Sequence, residues 1–315
     1  MNQFNQDSTT ADVIAGHSLS GRTALITGAS SGLGVETARC LASAGARVIM
    51  SARDSGKLNV AADSVRAAEA EAEIETLVMD LAELGSVRAA AEESRRRFPE
   101  VHLLINNAGV MACPLARTAD GFEMQFGTNH LGHFLFTCLI APALIDGGES
   151  RIVNLSSAGH KFADVNLDDP NYLQRDYDKW QAYGESKTAN ALFSVALDER
   201  LAGRGVRSFA VHPGVILTDL GRHLSEADLQ ALSERSPGGA GLVFKSVEQG
   251  AATSVWAATS DDLTGHGGLY LENCQIGEPA TAGSDSGVES YALDRDQADR
   301  LWRISEDLVG QSFEF

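Results

Sequence analysis

A tyrosine and a lysine four residues apart could carry proton transfer. Tyr183 and Lys187 belong to the segment YGESK, and their spacing puts both side chains on one face of a predicted helix. A cation beside a phenol favours the phenolate and lowers its pKa from about 10, so the phenol can exchange protons with an alcohol or carbonyl oxygen near neutral pH. Alone the pair is a weak signal, because tyrosine and lysine often share this spacing on a helix surface.

A glycine-rich segment near the N-terminus could hold an anionic ligand. TALITGASSGLG places Gly28, Gly32 and Gly34 between a predicted strand and a predicted helix. Glycines allow a tight turn and a close approach of the backbone to a pyrophosphate, and the helix N-terminus supplies free N–H groups and partial positive charge. The pattern predicts a dinucleotide site, and the alternative is a plain strand–helix turn.

The residues after the second and third predicted strands bear on which dinucleotide binds. NAD sites of this type usually carry a carboxylate that binds the ribose 2′-hydroxyl, and Ala52 offers none. Arg53 can instead pair with a 2′-phosphate, which favours NADP(H) over NAD(H). In the alternative interpretation, Arg53 is a solvated charge and Asp54 binds the ribose. Asp80 is placed to bind the adenine amino group, to cap a helix, or both.

Strand-like and helical segments alternate through the first 215 residues. Alternation at this spacing predicts a parallel sheet with helices on both faces. The expected fold is a single-domain α/β, doubly wound (Rossmann) three-layer sandwich with a mostly parallel sheet of about seven strands. Residues 1–20 are predicted to be an N-terminal extension, residues 21–315 the catalytic domain, and residues 215–245 its substrate-loop region. The predicted strands are Thr23–Thr27, Arg47–Ser51, Glu73–Met79, His102–Asn106, Arg151–Leu155 and Arg207–His212.

Charge and cysteine content limit the partners and the setting. The chain has 25 Lys+Arg against 43 Asp+Glu, a net charge of −18, which argues against nucleic acid or an anionic membrane as a partner. The four cysteines have neither zinc-ligand nor disulfide-framework spacing, so we expect no metal and a reducing, cytoplasmic setting. The apolar run Phe134–Ile145 is shorter than the roughly 20 residues of a membrane helix, and the N-terminus lacks signal-peptide features.

Six segments occur together in a fixed order: TGASSGLG, NNAG, the Asn129 segment TNHLGH, VNLSS, YGESK and HPGVILTD. From about Gly21 to Leu220 the chain resembles the short-chain dehydrogenase/reductase family. The resemblance implies reversible hydride transfer between a nicotinamide and an alcohol or carbonyl carbon, without a metal. It places the four catalytic residues at Asn129, Ser157, Tyr183 and Lys187.

By this resemblance each of the four has a role. Tyr183 is the general acid in reduction and the base in oxidation, and Ser157 hydrogen-bonds the substrate oxygen, with Ser156 as the neighbouring alternative. Lys187 lowers the pKa of Tyr183 and holds the nicotinamide ribose, and Asn129 holds a water that links Lys187 to solvent. The implied cofactor-binding residues are Gly28, Ser30, Ser31, Gly32, Leu33, Gly34, Arg53, Asp80, Leu81, Asn107, Ala108, Gly109, Tyr183, Lys187, Pro213, Gly214, Val215 and Thr218.

Ser157 and Tyr183 are 26 residues apart, about twice the family's usual spacing. The segment between them resembles that of the retinol-dehydrogenase-like and WW-domain-oxidoreductase-like members. This implies a lipophilic or aromatic alcohol or carbonyl as the substrate. The family often forms homodimers or homotetramers through its two long central helices, and an insertion before the catalytic tyrosine can block that surface.

Several residues have two interpretations. His160 either lines the substrate pocket or is a hydrogen-bonded loop residue. His130 and His133, three residues apart, would suit a metal only with a partner ligand, which we do not expect. Cys113 lies near the predicted cleft or is a small buried side chain. The segment Leu220–Leu232 is predicted to be an apolar lid or an oligomer contact.

Other functions are also considered. An NAD-preferring dehydrogenase of the same family and a non-catalytic NADP(H)-sensing or scaffold protein are the alternatives. An epimerase or dehydratase with tightly held NAD is disfavoured because Ala52 and Arg53 offer no acidic ribose contact. A methyltransferase with a glycine loop would leave Tyr183 and Lys187 unexplained.

Overall fold

The sheet of this computed structural model is built from runs of β-branched and apolar residues. The structure describes residues 4–222, 224–226, 228, 230, 232, 243–281, 284 and 286–315. Leu25, Ile26 and Ile49 are fully buried, as expected when helices cover both faces of a parallel sheet. The strands of the described residues are β1 Thr23–Thr27, β2 Arg47–Ala52, β3 Ile74–Val78, β4 Leu103–Asn106, β5 Ser150–Leu155, β6 Val206–His212, β7 Leu269–Glu272 and β8 Gln275–Ile276.

The strand order is β3-β2-β1-β4-β5-β6-β7-β8. The first seven strands pair in parallel, and β8 pairs antiparallel with β7. The order reverses between β1 and β4, and ligands of such sheets bind outside the carboxyl ends of the strands at this point. The predicted doubly wound, mostly parallel sheet is confirmed. It has one strand more than expected because Gln275–Ile276 folds back on β7.

Helices cover the sheet on both faces and make it the middle of three layers. One hydrophobic core contains Ala90, Phe134, Leu192 and Leu301, and the other lies beneath Leu41, Ala62 and Val255. The helices among the described residues are α1 Thr10–Ile14, α2 Gly32–Ser43, α3 Ser55–Ala68, α4 Leu84–Arg97, α5 Met124–Gly147, α6 Lys179–Leu201, α7 Val247–Thr259 and α8 Arg295–Val309.

Helix α5 is the most apolar helix of the molecule and carries a π-helical turn at Gly127–Leu131. At 24 residues it is long and apolar enough to span a membrane, but most of it is buried inside the protein. The sequence-based length estimate of twelve residues was therefore too short. Helix α5 lies in the core because α4 and α8 pack around it, as the edge-to-face contact of Phe134 with Trp302 at 4.9 Å shows.

The predicted N-terminal extension packs against the domain. A capping box at Thr9 starts α1, and the Thr10 hydroxyl donates to the Glu36 carboxylate of α2. Gln249 of α7 donates to the Asp7 carbonyl oxygen at 3.3 Å. The extension therefore lies between α2 and α7, beside the end of the sheet where the glycine loop is found.

Candidate functional site

A cavity of about 1700 Å³ opens at the carboxyl ends of the strands. Nearly all of the predicted cofactor and catalytic residues line it, from the glycine loop through Arg53 to Tyr183 and Thr218. Gly34 and Asn129 are not among its lining residues; Gly34 packs against the loop backbone and Asn129 is fully buried. Because a three-layer sheet binds ligands at this edge, the cavity lies where the fold predicts a site.

The glycine loop is shaped by contacts that leave no space for side chains. Gly28 has a φ of +66°, and a Cβ there would lie 2.7 Å from the Ala108 Cα. A Cβ at Gly34 would lie 2.4 Å from the Gly28 carbonyl oxygen. Asn107 fixes the same loop by donating from Nδ2 to the Thr27 carbonyl oxygen at 2.8 Å. The backbone of β1 and β4 therefore approaches any ligand in this loop closely.

Helix α2 begins at the end of this loop with free N–H groups. Its N-cap is Ser31, which makes no side-chain hydrogen bond to the first turn. The first amide groups of a helix have no partner within the helix, so they can bind an anion. This arrangement at the edge of the cavity fits the pyrophosphate of a dinucleotide.

The adenosine end of the cavity carries two basic side chains. Arg53 lies after β2, and Lys57, in the first turn of α3, lines the same cavity. Asp54 is the N-cap of α3, and its carboxylate accepts from the Lys57 N–H at 3.0 Å. A ribose contact from Asp54 would therefore compete with this cap. The sequence analysis missed Lys57, although a second basic residue four positions after Arg53 was a readable signal.

Asp80 lies at the end of β3 and lines the cavity. Its carboxylate accepts from the Ala82 N–H at 2.9 Å. The N-cap of α4 is Glu83, so the interpretation of Asp80 as a helix cap is wrong. Asp80 therefore lies in the turn between β3 and α4, three residues before the N-cap of α4, and its contact with an adenine amino group stays a prediction.

Tyr183 is almost fully buried in the first half of α6, where its ring packs against Gly159. A Cβ at Gly159 would lie 2.7 Å from the Tyr183 Cε1. Burial raises the pKa of Tyr183 to about 12, and a hydrogen bond with Ser157 partly offsets this rise. The phenol therefore keeps its proton at neutral pH in this structure. Gly159 is a further residue that the sequence analysis missed.

Lys187 follows Tyr183 by one turn of α6, as its spacing predicted. Its Nζ donates to the Leu155 carbonyl oxygen at 2.9 Å and lies 5.7 Å from the centroid of the Tyr183 ring. Burial lowers the pKa of Lys187 to about 8. The pKa of Tyr183 is raised rather than lowered in this structure because the phenol is buried, and the lowering predicted for the Lys187 charge stays a prediction.

Asn129 lies on the π-helical turn of α5 and is held by three hydrogen bonds. Its Oδ1 accepts from the Val110 N–H at 2.8 Å, and its Nδ2 donates to the Val110 carbonyl oxygen and the Ser186 hydroxyl, both at 2.9 Å. A Cβ at Gly109 would lie 3.2 Å from Asn129 Oδ1 and 3.8 Å from Lys187 Nζ. Gly109 therefore lies beside both Asn129 and Lys187, and the water role predicted for Asn129 stays a prediction.

The two adjacent serines at the end of β5 have different partners. Ser156 is buried and donates to the Lys187 carbonyl oxygen at 2.8 Å. The Ser157 hydroxyl accepts from the Gly159 N–H at 3.0 Å and is hydrogen-bonded to Tyr183. This arrangement favours Ser157 over Ser156 as the residue that contacts a substrate oxygen.

The histidines and Cys113 make internal contacts. His160 Nδ1 donates to the Ser157 carbonyl oxygen at 2.7 Å, and its Nε2 accepts from the Glu289 N–H at 3.1 Å. His130 Nε2 lies 2.7 Å from the Ser305 hydroxyl, and His133 Nε2 lies 2.8 Å from that of Thr27. Burial raises the pKa of the Cys113 thiol. These contacts match the structural interpretation of each residue.

The nicotinamide end of the cavity follows β6. A Cβ at Gly214 would lie 2.7 Å from the Lys245 Cδ, and the Lys245 N–H donates to the Val215 carbonyl oxygen at 2.9 Å. The buried ring of His212 accepts from the Ala158 N–H through Nδ1 at 3.1 Å. Lys245 and His212 therefore fix the turn after β6, and the sequence analysis assigned no role to Lys245.

The remaining walls of the cavity combine apolar side chains with charged and polar ones, among them Lys161, Glu272 and Asn273. Leu220, Leu224 and Leu232 of the predicted lid line it. Residues 223, 227, 229, 231 and 233–242 lie outside the described residues, so the choice between lid and oligomer contact stays a prediction. Other apolar lining residues are Met111, Met124, Phe162, Trp180, Leu217, Val243 and Phe244.

Comparison with known proteins agrees with this geometry. The family model described as short chain dehydrogenase matches residues 22–229. Retinol dehydrogenase 12 from Mus musculus is 41% identical over 296 residues, which cover 93% of this chain and 88% of that protein. The chain therefore belongs to the short-chain dehydrogenase family, and within it the protein resembles retinol dehydrogenases.

Solved structures show the same fold. A putative uncharacterized protein from Mycobacterium paratuberculosis has a TM-score of 0.76 and 36% identity, covering 98% of this chain and all of that one. A gluconate 5-dehydrogenase from Burkholderia cenocepacia, in complex with NADP and tartrate, has a TM-score of 0.64 and 26% identity, covering 81% and 94% of the two chains. The NADP in that structure belongs to the Burkholderia protein, and the solved structures show for this chain the shared fold.

Proposed function

We propose that the protein is an NADP(H)-dependent oxidoreductase that interconverts a lipophilic or aromatic alcohol and its carbonyl compound. The observation that carries the proposal is one continuous cavity. It joins the glycine loop and Arg53 at one end to the hydrogen-bonded Tyr183 and Ser157 at the other. A bound nicotinamide would supply the hydride chemistry.

Tyr183 and Ser157 would hold the substrate oxygen between their hydroxyl groups. In reduction, the Tyr183 Oη gives its proton to the carbonyl oxygen as negative charge develops there, and Ser157 stabilises that charge by donating a hydrogen bond. A tyrosine pKa of about 12 supports this direction, because the phenol is protonated at neutral pH. In oxidation the proton moves the opposite way, from the alcohol to a tyrosine that has first lost its own.

Lys187 and Asn129 would assist the same proton transfer without contacting the substrate oxygen. The Lys187 ammonium lies one helical turn from Tyr183 and, with a pKa of about 8, is mostly protonated at pH 7. Asn129 Oδ1 accepts one hydrogen bond, from the Val110 N–H, and its second lone pair could accept from the proposed water, which supports that role. We propose that this water renews the proton of Lys187.

Two observations support NADP(H) over NAD(H). Arg53 and Lys57 are basic side chains at the adenosine end, where a 2′-phosphate would lie. The Asp54 carboxylate is used as the cap of α3. A lipophilic substrate is supported by the apolar side chains in the cavity walls and by similarity to a protein named retinol dehydrogenase. The four cysteines are buried thiols, which supports the proposed reducing cytoplasmic location.

The test compares NADPH and NADH consumption over carbonyls that range from propanal through acetophenone to retinal and a keto-steroid. We expect turnover that is faster with NADPH and grows with the apolar surface of the carbonyl. Tyr183→Phe removes only the hydroxyl and is expected to lower kcat by at least about 10²-fold, because general acid–base catalysis contributes 10²–10⁴-fold.

Each other outcome has a distinct meaning. Faster turnover with NADH would overturn the role given to Arg53 and keep the reaction class. Unchanged turnover in Tyr183→Phe would overturn the role of the phenol. NADPH binding without turnover on any carbonyl would favour the non-catalytic, NADP(H)-sensing alternative.

A further inference from the structure

We propose that Tyr177 is a positioning residue that fixes the substrate-side wall of the cavity by tethering the loop segment Val110–Cys113. This role rests on the proposed function, because the wall it shapes is that of the substrate site. Tyr177 belongs to the long segment between Ser157 and Tyr183, for which the sequence analysis gave no mechanical role.

The Tyr177 hydroxyl lies at the centre of a cluster of hydrogen-bonded polar groups. It donates to the Cys113 carbonyl oxygen at 2.9 Å and accepts from the Gln125 Nε2 at 2.9 Å. Glu123 Oε1 lies 3.3 Å from the same hydroxyl. Burial raises the pKa of the Glu123 carboxyl, while two N–H groups of the first turn of α5 stabilise its charge. The hydroxyl thus joins the loop segment to the start of α5.

A second hydrogen bond holds the same loop one residue earlier. Gln125 Oε1 accepts from the Ala112 N–H at 2.8 Å, and Ala112 has a φ of +48°. A non-glycine residue in this left-handed conformation is strained and persists only where its surroundings hold it. The Gln125 Nε2 donates both to the Tyr177 hydroxyl and to the Lys179 carbonyl oxygen, each at 2.9 Å, and these two acceptors together orient the amide that holds Ala112.

The loop segment is held at both ends. At its start, the Val110 backbone makes two hydrogen bonds to the Asn129 side chain. At its end, Ala112 and Cys113 are held by Gln125 and Tyr177. Met111 lies between the two anchors and lines the cavity. The position of Met111, and with it the width of the substrate site, depends on both anchors.

Tyr177 is itself fixed by the rest of its segment. Its ring contacts Tyr172 edge-to-face at 5.1 Å. Arg175 forms two hydrogen bonds of 2.5 Å to Glu185, two residues beyond Tyr183 on α6. Arg117, from the chain just after the loop segment, donates to the Asn171 carbonyl oxygen at 2.5 Å. The segment therefore connects the helix that carries Tyr183 to the loop that carries Met111.

The test compares Tyr177→Phe with its matched control Tyr172→Phe in the full chain. Both variants remove one buried hydroxyl from the same segment, but only the Tyr177 hydroxyl bonds to Cys113 among the described residues. Hydrogen exchange of the Ala112 amide is measured first, because it requires no substrate. We expect at least tenfold faster exchange in Tyr177→Phe and less than threefold change in Tyr172→Phe.

Steady-state kinetics with NADPH then separate positioning from a general loss of structure. For retinal we expect about tenfold lower kcat/KM in Tyr177→Phe, mostly through KM. For propanal, which does not reach the Met111 wall, and for NADPH affinity we expect changes below threefold. Equal losses for retinal and propanal, or equal Ala112 exchange in both variants, would overturn the proposal. If the wild-type protein reduces neither carbonyl, the proposed function fails, and the exchange result alone still decides whether Tyr177 tethers the loop.

Discussion

The adjacent residues Ser156 and Ser157, at the end of β5, have different roles because side chains alternate direction along a strand. Ser156 is directed into the protein, where it bonds to the backbone of α6, and Ser157 is directed into the cavity beside Tyr183. The same two-residue period made the sequence-based preference for Ser157 possible. The hydroxyl groups of these serines are chemically identical, so only their surroundings separate a structural role from a catalytic one.

We expect Ser157→Ala to lower kcat for carbonyl reduction by about 10²–10³-fold, because it removes a donor to the developing oxyanion. Ser156→Ala loses one buried hydrogen bond, worth about 1 kcal/mol of stability, and keeps kcat within about threefold of wild type. Steady-state kinetics and thermal unfolding of the two variants provide the measurement. The reverse order of kcat values would show that Ser156 contacts the substrate.

Residue types at motif positions were readable from the sequence, and most of the site came from them. Gly159 and Lys245 were missed because their roles arise from contacts with residues about 25 to 30 positions away in the chain, Tyr183 and Gly214, whereas Lys57 was a local signal that was overlooked. The direction of the Tyr183 pKa was also missed. A lysine at the fourth position predicts a lowered pKa, but the sequence does not reveal how completely the phenol is buried.

Helix α5 buries two histidines that the sequence places only three residues apart. His130 lies among the rings of Phe126, Phe134 and Phe193. Burial lowers the pKa of His130 to about 3 and that of His133 to about 4. Their folded-state pKa values lie below the unfolded value of about 6.5, so the unfolded chain binds more protons between these limits. Neutral histidines therefore stabilise the fold fully above pH 6.5, and this contribution is lost as the pH falls toward 4.

We expect the melting temperature to fall between pH 7 and pH 5, and to fall less in His130→Phe. A difference of one bound proton between the folded and unfolded states changes the free energy of unfolding by at most about 1.4 kcal/mol per pH unit. The His130→Phe substitution removes one of the buried histidines and keeps an aromatic ring in its place. The exposed His266→Asn serves as the control and should leave the pH dependence unchanged. The melting temperatures are measured by calorimetry between pH 7 and pH 5. Equal losses of stability in the wild type and in His130→Phe would contradict the prediction.

At the level of elements, apolar runs and glycine turns made β1 to β6 predictable to within one or two residues at each end. The short β8 and helix α1 were not predicted. Each is five residues or fewer, too short for a periodic pattern, and each is stabilised by packing against the rest of the protein. The prediction of Asp80 as a possible helix cap was also wrong, because the residue at which α4 begins depends on local turn geometry.

At the level of the whole molecule, α8 covers the helix pair through which the family often associates. Arg200 of α6 bonds to Asp299 at 2.7 Å and lies 4.2 Å above the Trp302 ring of α8. Phe313 extends the cover by packing edge-to-face on Phe134 of α5 at 5.8 Å. Helix α8 and the residues after it therefore cover part of these two helices, and the expected homodimer or homotetramer stays a prediction that these contacts disfavour.

We expect the purified protein to have the mass of a single chain in light scattering coupled to size-exclusion chromatography. Removing the residues after Val309 takes away Phe313 and Phe315, which are partly buried against the core, and is expected to lower the melting temperature by less than the loss of two fully buried aromatic side chains, which contribute up to about 3 kcal/mol each. Wild-type protein that elutes as a stable dimer or tetramer at micromolar concentration would contradict the prediction of a monomer.

The aromatic cover over α5 also has a consequence for the order of events during synthesis. Domains generally begin to fold from the N-terminal side while the ribosome is still adding residues. Here Phe134 packs against Trp302 and Phe313, which are synthesised more than 160 residues after it. The most apolar helix of the molecule therefore cannot be fully buried until nearly all of the chain has left the ribosome. During that interval it is the segment on which a chaperone would act.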